Sequence, residues 1–173
     1  VRAVVANSGC ANCAVGEQGH KDAEEMTALA ANLLGLASDD VAVASTGLIG
    51  YEMPMALVRQ NIGNIDVTTE GGHDFARAIM PTDSRPKEGA VSADLPGGRI
   101  IVGGAAKGVG MIHPNMATML CFLSTDAKVQ PKFLQSVLSE AVDASFNMID
   151  VDGDMSTNDT VLVLANGAAG GPE

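Results

Sequence analysis

The most reactive stretch of the sequence runs from Lys107 to Leu120, Lys-Gly-Val-Gly-Met-Ile-His-Pro-Asn-Met-Ala-Thr-Met-Leu. Glycines and a proline punctuate it, and an apolar run then begins at Thr118. A Thr hydroxyl is a weak nucleophile and needs a base beside it. An N-terminal Thr supplies its own base, because an α-amine with a pKa of about 7.7–8.0 is partly neutral near physiological pH. A Thr inside a chain must first be freed by backbone cleavage. Strain in a glycine-rich lead-in favours attack of the hydroxyl on the preceding carbonyl, here that of Ala117. An isolated Thr at a strand start is otherwise an ordinary β-former.

Other candidate motifs fail on their own chemistry. The run Gly103-Gly104-Ala105-Ala106-Lys107-Gly108 lacks the Gly-Lys-Ser/Thr ending of a phosphate loop. A dinucleotide fingerprint beginning at Gly108 and Gly110 would need glycine where His113 stands. Asp150, Asp152 and Asp154 alternate as in a calcium loop, but Met155 and Val161 occupy the positions of its turn glycine and bidentate Glu. Cys10 and Cys13 have redox spacing after a strand, with no proline or aromatic residue between them. His20, His73 and His113 are scattered without ligand spacing. No metal site is expected.

Several elements must position the reactive stretch. Arg2–Ala6 reads as a strand ended by Asn7-Ser8-Gly9. Ala23, Met26, Ala30, Leu33 and Leu34 predict a helix over 21–36. A strand is expected at 41–45, a helix opened by Pro54 through Ile62, and a short helix over 72–80. Segments 90–95 and 99–102 flank Pro96-Gly97-Gly98 as a hairpin. The glycine-rich span 103–115 reads as a flexible connection into a strand at 118–123. Pro131 opens a helix with Phe133, Leu134, Val137, Leu138, Ala141 and Val142 on one face, and a strand follows at 160–165. The fold class expected is α/β in layers, with mixed or antiparallel sheets, in one domain spanning residues 1–173.

Composition narrows the partners. The 173 residues carry 10 Lys+Arg against 21 Asp+Glu, a formal net charge of −11. That balance repels nucleic acid and anionic membranes. Aromatics make up 3% with no Trp, so no stacking platform exists for single strands. Apolar residues reach 46%, enough for a real core, and no run approaches the roughly 20 residues of a membrane span. No leader sequence is seen at Val1, and three cysteines without framework spacing fit a reducing cytoplasm.

Five ordered segments carry a resemblance. Lys107–Leu120 is similar to the self-cleavage and nucleophile motif of the ornithine acetyltransferase (bifunctional glutamate N-acetyltransferase) family of arginine biosynthesis. Asn7-Ser8-Gly9-Cys10-Ala11-Asn12 resembles its Asn-Ser-Gly-Asn-Ala-Asn, and Ser45-Thr46-Gly47-Leu48-Ile49-Gly50 its Ser-Thr-Gly-Val-Ile-Gly. Thr82-Asp83 with Pro86-Lys87 resembles its Thr-Thr-Asp segment, and Asp152–Asp159 its Asp-Gly-Asp-Thr-Ser-Thr-Asn-Asp. The resemblance implies an αββα sandwich of the N-terminal-nucleophile kind. It implies autocleavage between Ala117 and Thr118, which makes that bond the junction of α and β chains. Thr118 becomes the nucleophile that carries acetyl from N-acetylornithine to glutamate. Thr46 and Gly47 form the oxyanion hole, where such donors are worth roughly 3–4 kcal/mol each. Lys107, Thr82 and Thr118 contact substrate, and the Asp152–Asp159 loop is structural. No cofactor is implied, with acetyl-coenzyme A as a further co-substrate in bifunctional members, and the cut chains assemble as a heterotetramer.

Departures from the family pattern are local. Pro81 stands where a second Thr is usual, Cys10 replaces an Asn and Met155 a Thr. The family also has a lead-in before the position of Val1 and a long portion after that of Glu173, including an acidic Gly-Glu-Gly contact. Two other readings compete. One is a same-fold aminopeptidase, whose relatives tend to use Ser where this chain has Thr118. The other is a non-catalytic domain or a redox module built on Cys10 and Cys13.

Overall fold

A computed structural model of the chain describes residues 1–113 and 119–170. It divides into two compact units, Val1–Thr82 and Asp83–Glu173. The division follows from strand pairing, because each sheet recruits only strands from its own half.

In the first unit, β1 (Ala3–Cys10) and β2 (Val41–Leu48) pair in parallel, from Ala3 opposite Val41 to Cys10 opposite Leu48. Parallel neighbours need a long crossover. Helix α1 (Glu17–Leu34) supplies it. It starts four residues before the helix expected over 21–36, and Asn12 Nδ2 donates to the Gly19 carbonyl in its first turn at 2.8 Å. Its inner face presents Asp22, Met26 and Ala30 at a spacing of four, so all three point to one side. Met26 is 1% exposed and packs in a cluster with Cys10, Met53 and Met55. Helix α2 (Met55–Asn61) follows Pro54, and its Arg59 grips Glu25 of α1 through two hydrogen bonds. Helix α3 (Gly72–Ala78) ends where Ser8 Oγ of β1 donates to the Ala78 carbonyl at 2.8 Å.

The second unit is a mixed four-stranded sheet of order β3-β4-β5-β6. β3 (Lys87–Leu95) and β4 (Gly98–Lys107) form the expected hairpin around Pro96-Gly97, but both strands run further than the sequence suggested. Gly103–Lys107 is strand, where the glycines had read as a flexible connection. Packing explains the difference. A Cβ on Gly104 would lie 2.3 Å from the Phe122 carbonyl oxygen of β5, so glycine here permits close approach of two strands. β5 (Leu120–Ala127) pairs antiparallel with β4 and parallel with β6 (Thr160–Gly170). Ala117 and Thr118 lie outside the described residues.

Helix α4 (Pro131–Asp143) is the crossover between β5 and β6. Its apolar face is covered less than the pattern predicts. Leu134, Leu138 and Val142 are half-buried, but Phe133 is 62% exposed and no residue of the helix is fully buried. The observed class is mixed α/β, as expected, with two parallel β-α-β crossovers joined through an antiparallel hairpin. Among the described residues no helix is long and apolar enough to cross a membrane.

Leu120 and Met26 are essentially inaccessible, one in each unit. Truncating such a side chain removes its transfer energy and leaves a cavity. Leu120→Ala and Met26→Ala should each lower stability by about 2–5 kcal/mol in urea unfolding. Loss of less than about 1 kcal/mol at either position would show that the core is not centred there.

Candidate active site

Lys107 is the last residue of β4 and sits opposite Leu120, the first residue of β5. Its residue exposure is only 4%. It lines a cleft of about 620 Å³ between the ends of β4, β5 and β6 and the inner side of α4. Met119, Leu138, Val142 and Ile149 supply apolar wall, while Lys107 and Asp159 bring charge into it. A cleft that is mostly apolar with a few convergent polar groups suits a small molecule.

The charges are arranged around the buried ammonium. Burial pushes the Lys107 pKa below its ordinary value, and the negative charges of Asp83 and Asp159 oppose that shift. Asp83 is itself disfavoured as an anion by burial. A hydrogen bond from the Gly108 N–H at 2.9 Å, the Lys87 ammonium and the charge of Lys107 outweigh burial and hold its carboxyl below the usual range. Asp159 goes the other way. Burial raises its carboxyl to about 6, against the Met119 N–H and the Lys107 charge. Three groups of opposite sign therefore share one partly dry site, where each charge is more strongly felt than in water.

The chain on either side of residues 114–118 is anchored by one loop. Asp152 accepts the Met111 N–H at 2.6 Å through Oδ2 and the Ile112 N–H at 2.9 Å through Oδ1. The Val151 N–H returns a bond to the Ile112 carbonyl at 2.8 Å. Asp159 Oδ1 accepts the Met119 N–H at 2.7 Å, and the Thr160 N–H donates to the Met119 carbonyl at 3.0 Å. The two backbone bonds hold Asp152 well below the ordinary carboxylate range. Of the alternating aspartates that resembled a calcium loop, Asp152 is thus spent on backbone N–H groups, and Asp150 accepts the Gly153 N–H at 3.1 Å.

The other expected residues belong to the first unit. Thr46 on β2 is fully buried, and Gly47 follows it with φ +134°. A Cβ on Gly47 would lie 2.3 Å from the carbonyl carbon of Gly9, its partner across the β1–β2 pair. Thr82 is an exposed bend residue at the end of that unit. Cys10 is buried and directs its thiol to the Tyr51 carbonyl at 3.3 Å, and Cys13 is half-buried. None of the three cysteines forms a disulfide, and burial pushes the thiol of Cys121 to about 11. A thiol so raised is a poor nucleophile.

The structure thus brings Lys107 together with Met119, the residue after the expected nucleophile, and with two aspartates. Neither Asp83 nor Asp159 stood among the residues expected from sequence to serve the site. Asp83 was visible only as part of a matched motif. Asp159 precedes β6 by one residue, and its place beside Met119 depends on strand register.

The model of the ArgJ family matches residues 1–173. The chain belongs to that family. Over 99% of its length it is 53% identical to the "Arginine biosynthesis bifunctional protein ArgJ" of Dehalococcoides mccartyi, of which it covers 42%. It is 50% identical over 98% of its length to the "Glutamate N-acetyltransferase" of Methanocaldococcus jannaschii, covering 43% of that protein. The chain therefore spans about two-fifths of these curated relatives. The crystal structure of ArgJ from Bacillus halodurans matches 68% of the chain and 61% of that protein, at TM-score 0.61 and 39% identity. Ornithine acetyltransferase from Mycobacterium tuberculosis, solved in complex with ornithine, matches 65% of the chain and 61% of that protein, at TM-score 0.52 and 30% identity.

Two predictions follow from the geometry. Gly47→Ala combines a disfavoured φ with a backbone collision, so it should sharply lower the yield of folded protein, as read by circular dichroism and melting. A Gly47→Ala protein that melts like wild type would show that β1 and β2 are not so close. For Asp159, the folded carboxyl titrates near 6 and the unfolded one near 3.9. Between those values the folded state holds more protons, so stability falls as pH rises from about 4 to 6. Against Asp159→Asn, wild type should lose ground across that window and run parallel above about pH 7 in urea unfolding. A constant difference from pH 4 to 7 would contradict the raised value.

Proposed function

We propose that the protein transfers an acetyl group from N-acetylornithine to glutamate through an acetyl ester on Thr118, after self-cleavage between Ala117 and Thr118. The observation that carries this reading is the cleft where the buried Lys107 lies beside the backbone of Met119, directly after Thr118 in the chain. Family membership over residues 1–173 supports it. So do relatives named as a glutamate N-acetyltransferase and as an ornithine acetyltransferase bound to ornithine.

In this scheme the freed α-amine of Thr118 accepts the proton of its own hydroxyl as Oγ attacks the acetyl carbonyl. The Thr46 hydroxyl and Gly47 N–H receive the negative charge that forms on the carbonyl oxygen. The C–N bond to ornithine breaks, and the departing amine takes the proton from the α-ammonium. Glutamate then binds, its amine attacks the acetyl ester, and Thr118 Oγ leaves with a proton. Lys107 holds the substrate α-carboxylate by a charge-assisted hydrogen bond. Thr82 adds a further contact. Acetyl-coenzyme A serves as an alternative donor, no resident cofactor takes part, and the cut α and β chains assemble as a heterotetramer in the cytoplasm.

The test is the denaturing intact mass of purified full-length protein beside Thr118→Ala, followed by an acetyl-transfer assay. Wild type should divide between Ala117 and Thr118 and transfer acetyl to glutamate. Thr118→Ala should stay whole and lose at least about 10³-fold in rate, since the nucleophile acts with its base as one unit. A wild-type chain that stays whole would overturn the scheme. Lys107→Met should raise KM about 10- to 100-fold, from the roughly 1.5–3 kcal/mol of a hydrogen bond to a charged group. An unchanged KM would remove Lys107 from the substrate contact.

A further inference from the structure

We propose that Lys87 sets the choice of acetyl acceptor, by holding the side-chain carboxylate of glutamate in the cleft where Lys107 holds its α-carboxylate. The proposal rests on the reading of this cleft as the acetyl-transfer site and of Lys107 as its α-carboxylate contact. It names the group that separates a dicarboxylic amino acid from neutral or cationic ones.

Two ammonium groups share the cleft. Lys87 opens β3 and Lys107 closes β4, and the antiparallel register sets Lys87 opposite Ala106, the neighbour of Lys107. Both residues line the same space of about 620 Å³. They differ in depth. Lys107 is 4% exposed, whereas the Lys87 side chain is 43% exposed. A ligand carboxylate that enters fully meets Lys107, and one that stays nearer to water meets Lys87.

An exposed lysine is ordinarily a mobile, solvated charge. Lys87 is held in place instead. Its ammonium donates to Asp83 Oδ1, and the Asp83 side chain is 1% exposed. The same oxygen accepts the Gly108 N–H at 2.9 Å, so the carboxylate is tied to the residue that follows Lys107. An ammonium has three donors. Among the described residues Asp83 takes one of them, which leaves two for a ligand. The two lysines also feel each other, because the charge of Lys87 is one of the influences that lower the Lys107 pKa. A ligand with one carboxylate relieves one ammonium of this pair, and a ligand with two relieves both.

Donor and acceptor are both built on an α-amino acid. With the α-carboxylate on Lys107, their side chains leave the α-carbon in the same direction. The side chain of N-acetylornithine ends in an ammonium, and that of glutamate ends in a carboxylate. A cation in that direction favours glutamate over glutamine, which has nearly the same shape without the charge. It also opposes the ornithine ammonium, which helps the first product to leave before glutamate enters. Lys87 is half-exposed, so solvent and salt limit the size of both effects.

The experiment measures acetyl transfer by the full-length enzyme to glutamate and to glutamine, in wild type, Lys87→Met and Lys87→Arg. Wild type should favour glutamate in kcat/KM by at least about 10-fold, the scale of a hydrogen bond to a charged group. Lys87→Met should lose most of that preference through a higher KM for glutamate, while KM for N-acetylornithine does not rise. Lys87→Arg keeps the charge and should keep most of the preference. Comparing two acceptors in one protein cancels any loss of active enzyme. A rise in KM for donor and acceptor alike, with the glutamate preference intact, would make Lys87 a support for Asp83 and Lys107 and overturn the proposal. A wild type that takes glutamine as readily as glutamate would overturn it as well, even if Lys87→Met does not fold. In both cases transfer to glutamate by wild type leaves the proposed function standing. A wild type that transfers acetyl to neither acceptor would remove both.

Discussion

The parallel register of β5 and β6 is the constraint on which the second unit depends. Leu120 lies opposite Thr160, so the residues just before each strand, Met119 and Asp159, come together. Lys107 is opposite Leu120 on the other side of β5. A shift of one residue would turn every side chain of a strand to the other face. It would separate the ammonium from its carboxylates and leave the Met119 N–H without its acceptor. The β4–β5 contact helps to hold this register, because Gly104 allows Phe122 an approach that no larger residue would permit.

Burial of charge is the second organising fact. An ammonium removed from water is costly unless opposite charge and hydrogen bonds replace its hydration. The negative charges of Asp83 and Asp159 both favour the charged form of Lys107 against its burial. Asp83 meets an N–H and the charges of two ammonium groups, whereas Asp159 meets one N–H and the charge of Lys107 alone. The two carboxylates consequently depart from their ordinary values in opposite directions. Such divergence between two acids that share one ammonium is a mark of sites where chemistry is done.

The first unit shows the same economy in apolar form. Its helix α1 closes the parallel β1–β2 pair through a stripe of small and flexible residues, Met26 and Ala30 with Met53 and Met55 nearby. Unbranched methionines fill irregular gaps well. They suit a chain whose aromatic content is 3%. Gly47 and Gly9 meet across the strand pair at a distance only glycine tolerates, which places a fully buried Thr46 next to a backbone N–H of unusual conformation.

The sequence by itself determined the mixed α/β class, most element positions, and the family, through five motifs in order. It did so because periodicity, turn residues and contiguous motifs are local properties of the chain. The expectations placed on Thr46, Gly47, Lys107 and Thr118 came from such motifs. Tertiary structure alone decided that Gly103–Lys107 is strand, since nothing local distinguishes a flexible glycine run from one demanded by a neighbouring backbone. It also decided that α4 buries less of its apolar face than its pattern suggests. Asp83 and Asp159 became neighbours of Lys107 only through pairing between distant strands. Hydrogen bonds spanning some 40 residues depend on register, and register is a property of the folded sheet rather than of any segment in it.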